Sequence, residues 1–96
     1  MKIKNQNLKI KITIQNSKII SNIKIADNYG KIIIDAPKIV KISQPGQFIQ
    51  VKVSDADEPF LRRPFSIHRV GGSTVTILYE VVGKATEILS QKKAGN

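Results

Sequence analysis

The chain contains no cysteine and no tryptophan, one histidine, one methionine and only five aromatic residues among 96. Without cysteine it forms no disulfide, ligates no iron–sulfur cluster and offers zinc no thiolate. A single histidine, His68, supplies no imidazole cluster for a metal, and no Ser-His-Asp or Cys-His arrangement can be assembled around it. His68 therefore reads as structural or cofactor-adjacent, and no catalytic residue is assigned. Apolar runs stop at three residues, as in Ile32–Ile34, which is far short of a membrane span. The first residues lack the apolar stretch and cleavage site of a secretory signal, so the expected location is cytoplasmic. Acidic residues are scarce, 7 against 16 basic, for a net charge of +9. The length admits one domain with a modest core.

The excess charge is concentrated early. Residues 1–43 carry nine lysines against Asp27 and Asp35, a net of +7, and residues 44–96 carry seven basic and five acidic residues, a net of +2. The lysines stand singly between isoleucines, as at Lys9, Lys11, Lys24, Lys31 and Lys41. That is the pattern of a solvated strand face, and edge strands use lysine to resist aggregation. A surface for nucleic acid, or one attracting phosphate or a partner, is the alternative. The basic region has no interleaved aromatics beyond Tyr29.

Seventeen isoleucines and seven valines make a quarter of the chain β-branched, which favours strands. Leu8, Ile10, Ile12 and Ile14 alternate with polar residues as a strand, and Asn16-Ser17 can turn the chain. Ile19, Ser21, Ile23 and Ile25 then share one face, with Asn22 and Lys24 on the other. Asp27-Asn28-Tyr29-Gly30 signals a turn with positive φ at Asn28 or Gly30, and Lys31 to Asp35 returns as a strand. Ala36 to Ser43 predicts a helical turn or irregular link. After the turn Gln44-Pro45-Gly46-Gln47, strands are expected over Phe48–Val53, over Pro64–Val70 starting at its proline, and over Thr74–Val82 with Val75, Ile77, Tyr79 and Val81 on one face. Ser54–Pro59 reads as an acidic loop; its Asp55, Asp57 and Glu58 read as solvated, and no metal site is assigned. Thr86–Ser90 predicts a short helix. Five or six antiparallel strands and one short helix imply a small all-β barrel or sandwich.

Two segments carry the chemistry. In Leu61-Arg62-Arg63-Pro64-Phe65-Ser66-Ile67-His68, paired arginines precede a strand, and the planar guanidinium fork suits a phosphate or pyrophosphate. Phe65 can offer a ring to a flat ligand or belong to the core, and Ser66 offers a hydroxyl. In Tyr79-Glu80-Val81-Val82-Gly83-Lys84-Ala85-Thr86, a strand runs through glycine into a helix, where free amides can meet an anion and Thr86 can either cap the helix or face a phosphate. The spacing is neither that of a Walker loop nor that of a dinucleotide fingerprint.

With Pro45-Gly46-Gln47-Phe48, Pro59, and the run from Leu78 to Leu89, these segments resemble the ferredoxin–NADP reductase superfamily. Within it the likeness is to the electron-transfer subunits of dihydroorotate dehydrogenase B complexes, over roughly Ile19 to Asn96. The resemblance implies an FAD-binding antiparallel Greek-key barrel. Arg63 would hold the FAD pyrophosphate. Pro64, Phe65 and Ser66 would pass beside the isoalloxazine. Leu78, Tyr79 and Glu80 would flank the flavin and its ribityl chain, and Gly83, Ala85 and Thr86 would lead into the helix at the phosphates. The family usually has glycine where Ala85 stands and often a basic residue where Glu80 stands. Residues 17–96 would form the barrel, without its last strand, and residues 1–16 a Lys/Ile-rich extension able to add a strand. The resemblance implies electron transfer between NAD(P)(H) and FAD. A [2Fe–2S] cluster would then link FAD to the FMN of a dihydroorotate dehydrogenase catalytic subunit or similar flavoprotein, in pyrimidine biosynthesis. The nicotinamide-binding domain and the cluster-ligating region would lie outside this chain. Alone, the chain is expected to bind FAD weakly or not at all and to be inactive towards nicotinamides. The competing readings are a small basic barrel that binds nucleic acid and a flavin-free adaptor that docks on a catalytic subunit.

Overall fold

A computed structural model describes residues 2–5, 14–52 and 62–95. Among these residues seven strands form one sheet: β1 (Lys2–Asn5), β2 (Ile14–Asn16), β3 (Lys18–Ala26), β4 (Tyr29–Asp35), β5 (Phe48–Lys52), β6 (Arg62–Gly71) and β7 (Thr74–Glu80). Helix α1 (Pro37–Val40) is the single turn that the β-branched 36–43 segment allows, and α2 (Lys84–Ser90) follows β7. The spatial order is β2-β1-β5-β6-β7-β4-β3, and every pairing is antiparallel. β5, β6 and β7 run as a meander while β4 lies beside β7, a Greek-key arrangement.

β2 and β3 stand at opposite ends of that order, yet only Ser17 separates them in the chain. The sheet therefore curls until its two ends meet at Ser17, giving a curled half-barrel. The expected reversal at Asn16-Ser17 does not occur, because the chain passes there from one end of the sheet to the other. The alternating stretch from Leu8 to Thr13, the loop from Ser54 to Pro59 and Val53 fall outside the described residues.

The interior is built from alternate strand positions. Ile32, Ile34, Ile49, Val51, Val75 and Ile77 are fully buried, joined by Ile39 of α1 and Leu89 of α2. Ile3 of β1 belongs to the same core. The turn Asp27-Asn28 takes its positive φ at Asn28, at 61°. Gly30 is needed for another reason. It pairs across the sheet with Tyr79, and a Cβ there would overlap the Tyr79 ring.

β3 departs from the expected alternation. Its register to β4 slips between Ile19 and Ser21, where Ile19 faces Ile34 but Ser21 faces Ile33. One extra residue in a β-bulge exchanges the two faces of everything that follows. Ile19 is buried, whereas Ile23 and Ile25 are 53% and 50% exposed. Asn22, opposite the buried Ile32, turns inward instead.

Candidate functional site

β6 changes partner halfway along. Residues 62–66 pair with β5, from Lys52↔Arg62 to Phe48↔Ser66. Its pairing with β7 runs from Ile67↔Ile77 to Gly71↔Thr74. Beyond Ile67 and Ile77 the two strands part. The strand begins at Arg62 rather than at Pro64 as the sequence predicts. Proline is tolerated inside it for a local reason. Ile67 donates its amide to the Gln47 carbonyl at 2.7 Å and accepts from the Gly46 amide at 2.9 Å. Main-chain groups alternate sides along a strand, so Phe65 also bonds towards β5, while Pro64 and Ser66 turn their main chain towards β7. The missing proline N–H therefore falls where no strand pairs. On β7 the Val81 amide donates to Asn28 O at 2.7 Å, which places the main chain of Tyr79 towards β4 and that of Leu78 and Glu80 towards the parting.

A cavity of about 440 Å³ opens at this parting. Pro64, Phe65 and Ser66 line it from β6, Leu78, Tyr79 and Glu80 from β7, and Val82, Gly83, Lys84, Ala85 and Thr86 from the junction into α2. Nine of the ten residues singled out in the sequence thus converge on one concavity. The tenth, Arg63, lies in β6 beside Pro64 and opposite Val51. Pro64, Ser66, Leu78 and Glu80 are exposed strand positions, whereas Phe65 and Tyr79 are only 9% and 6% exposed. Phe65 therefore belongs to the core and lines the cavity from there. Val82 and Lys84 also line the cavity, and the sequence reading did not include them. Val82, at 74% exposed, is an apolar side chain left at the rim, and nothing in residue type alone distinguishes it from Val81.

The junction is held by Thr86. Its hydroxyl accepts from the amides of Val82 and Gly83 at 2.9 and 3.1 Å and donates to the Gly83 carbonyl at 3.1 Å. One donor and two acceptor sites are all that a hydroxyl has. Thr86 therefore caps the strand–helix junction, and its side chain has no capacity left for a phosphate. Gly83, the N-cap residue, has an open, extended conformation with no atom near a Cβ position. Ala85 is buried under the helix start.

Tyr79 forms the other wall. Its phenol donates to Asn22 Oδ1 at 2.7 Å, and burial pushes its pKa above the usual tyrosine value of 10.0. His68 sits on β6, exposed and outside the cavity lining. Among the described residues no group of three His, Asp or Glu side chains is placed to hold a metal, and no helix is long and apolar enough to cross a membrane. Asp55, Asp57 and Glu58 lie outside those residues.

No protein-family model matches the chain. Curated relatives do. It is 41% identical over 83 residues to the electron transfer subunit of dihydroorotate dehydrogenase B (NAD(+)) from Desulforamulus reducens, covering 84% of this chain and 32% of the relative. It is 40% identical over 89 residues to the subunit of that name from Clostridium acetobutylicum, covering 93% of this chain and 34% of the relative. A solved NADH-dependent reduced ferredoxin–NADP oxidoreductase, described for flavin-based electron bifurcation, superposes with a TM-score of 0.73 at 28% identity. The match covers 85% of this chain and 29% of that one. By its sequence the chain, which spans about a third of the length of these curated relatives, belongs to the family of dihydroorotate dehydrogenase B electron-transfer subunits.

Proposed function

We propose that the chain is the FAD-binding module of a nicotinamide-dependent flavin reductase. It would serve electron transfer to a partner flavoprotein such as the FMN-containing dihydroorotate dehydrogenase subunit of pyrimidine biosynthesis. The observation that carries this reading is the parting of β6 from β7. It makes one cavity from the residues that the family resemblance assigns to FAD.

The fit is chemical as well as spatial. A cavity of about 440 Å³ is within the range of small-molecule sites, and it is open enough for a cofactor to extend beyond it. The main-chain edges of Ser66, Leu78 and Glu80 turn into the gap, where amides and carbonyls can meet the polar rim of a planar heterocycle. Pro64 and Leu78 add apolar surface at the same place. When bound, flavin supplies the exchange between two-electron and one-electron chemistry; the protein supplies position and electrostatics. Arg63, next to Pro64, is assigned to the pyrophosphate, for which its fork geometry suits it. Thr86 serves the site by holding the helix start, not by touching phosphate. Glu80 places negative charge at the rim where many relatives would carry a base, and this weakens the hold on an anionic cofactor. The partner and NAD(P)(H) belong to the reading of a longer protein, whose nicotinamide-binding and [2Fe–2S] regions would lie outside this chain.

FAD titrated into the chain, followed by flavin fluorescence and amide chemical shifts, tests the assignment. Shifts concentrated at Pro64–Ser66 and Leu78–Thr86 are expected, with weak affinity. Arg63→Ala should weaken binding about tenfold, the cost of one charge-assisted contact, without changing the melting temperature. An absence of shifts at saturating FAD overturns the proposal, and an unchanged affinity in Arg63→Ala overturns the pyrophosphate assignment. Binding that follows RNA or DNA and collapses with salt would favour a nucleic-acid surface instead.

A further inference from the structure

Asn22 is absent from the cavity lining, and no motif includes it. The bulge between Ile19 and Ser21 nevertheless turns it, half-buried, towards Tyr79 and α2, where it joins three elements and lines a separate cavity with Gly30, Tyr79 and Ser90. Its Nδ2 donates to the carbonyls of Leu89 and Lys92, at 2.8 and 3.0 Å. Leu89 O, which also accepts the Lys92 amide at 3.1 Å, lies in the last turn of α2, and Lys92 lies two residues beyond the helix. With both amide hydrogens committed, Oδ1 is left to accept the Tyr79 phenol at 2.7 Å. The ring that carries this phenol lies over Gly30, where only the lack of a Cβ admits it.

The α2 segment is therefore fastened twice. At its start Thr86 ties it to the end of β7 through Val82 and Gly83. At its end Asn22 ties it to Tyr79, one residue before the end of β7. A third bond, from the Gly95 amide to Ile19 O at 2.8 Å, holds the following turn to β3. Two fastenings at opposite ends of a seven-residue helix fix its tilt as well as its position. The helix start is one wall of the cavity, β7 is a second and β6 the third.

We propose that Asn22 is a positioning residue for the cofactor cavity: by bridging the Tyr79 phenol to the carbonyls of Leu89 and Lys92, at and just beyond the end of α2, it sets the separation of the β7 wall from the helix wall. This rests on the FAD reading above. A ligand that reaches both walls depends on that separation, and one that reaches only the strand wall does not. FAD is of the first kind; riboflavin, which has the same ring system without phosphates, is of the second.

The test measures FAD and riboflavin affinity for the chain and its Asn22→Ala, Tyr79→Phe and doubly substituted forms. Tyr79→Phe keeps the ring over Gly30 and removes only the hydroxyl, so the fold is retained. Each single change should weaken FAD five- to tenfold, and Asn22→Ala, whose side chain is outside the lining of this cavity, should leave riboflavin within twofold. The double change should be no worse than either alone, because both remove one bridge. Equal losses for both ligands in Asn22→Ala, additive losses in the double variant, or unchanged FAD affinity would overturn the proposal. Hydrogen exchange of residues 87–92 separates this outcome from failure of the FAD reading. If no flavin binds at all, that reading fails, and faster exchange in both single variants still upholds the bridge. Unchanged exchange then overturns the bridge as well.

Discussion

β3 and β4 are hairpin partners of similar composition, rich in isoleucine and studded with lysine, and they have opposite fates. β4 keeps a strict register on β7 over its whole length, from Tyr29↔Glu80 to Asp35↔Thr74. Ile32 and Ile34 are accordingly buried without remainder. β3 slips by one residue after Ile19 and again near Ala26, and its Ile20, Ile23 and Ile25 stand about half exposed. The difference shows that isoleucine content is not what buries a strand. Registration against two neighbours does so for β4, whereas among the described residues the outer part of β3 pairs with β4 alone and can bulge. The bulge places apolar side chains in solvent, and it also places Asn22 where it can bridge Tyr79 to α2.

The largest effect expected separates the two strands directly. Ile34→Ala should cost about 3–4 kcal/mol in urea unfolding, and Ile25→Ala less than about 0.5 kcal/mol. Similar losses at the two sites would mean that the outer half of β3 is packed and that the bulge is misplaced. Next comes the contact that β4 makes with β7. Gly30→Ala should destabilise by about 2 kcal/mol, because the added methyl displaces the Tyr79 ring. A melting temperature unchanged by that substitution would remove the close approach of ring and glycine. Thr86→Val, which keeps the shape and loses the hydroxyl, should cost about 1 kcal/mol. FAD affinity in that variant should follow the loosened junction alone; a loss as large as that of Arg63→Ala would return a phosphate contact to Thr86.

The smallest effect is on pH. Burial raises the Tyr79 pKa above 10.0, so the unfolded state loses this proton first as pH rises. The stabilisation from a neutral, buried Tyr79 is complete below pH 10 and is lost as pH climbs from the unfolded value through the folded one. Stability of the unsubstituted chain should therefore fall relative to Tyr79→Phe only above pH 10, with a constant difference below it. A difference that varies between pH 6 and 9 would point to another group.

Much of this molecule could be read from its residues. The alternation of Val75, Ile77 and Tyr79, the turn at Asn28 and the strand at Ile49 and Val51 are local patterns that period-two chemistry enforces. The convergence of Pro64–Ser66 with Leu78–Glu80 and Gly83–Thr86 was legible through the family resemblance. Three features were not. Phe65 reads equally well as a ligand platform or as core, and only its place on the inner face of β6 decides between them. Thr86 reads equally well as cap or phosphate ligand, and the saturation of its hydroxyl is a matter of distances. Asn22 carries no signal at all, because its partners lie 57 to 70 residues away.

By itself, the sequence determined that this chain is β-rich and has no cysteine thiol, and it showed where the Arg62-Arg63-Pro64 and Gly83–Thr86 segments lie along the chain. Those properties follow from residue type and from spacing between near neighbours. The tertiary structure alone decided that β6 leaves β7 for β5 at Ser66, that β3 bulges, and that α2 is tied at both ends. Each of these depends on which main-chain groups remain unpaired when a curled sheet is closed, and that is settled only once every strand has its neighbours.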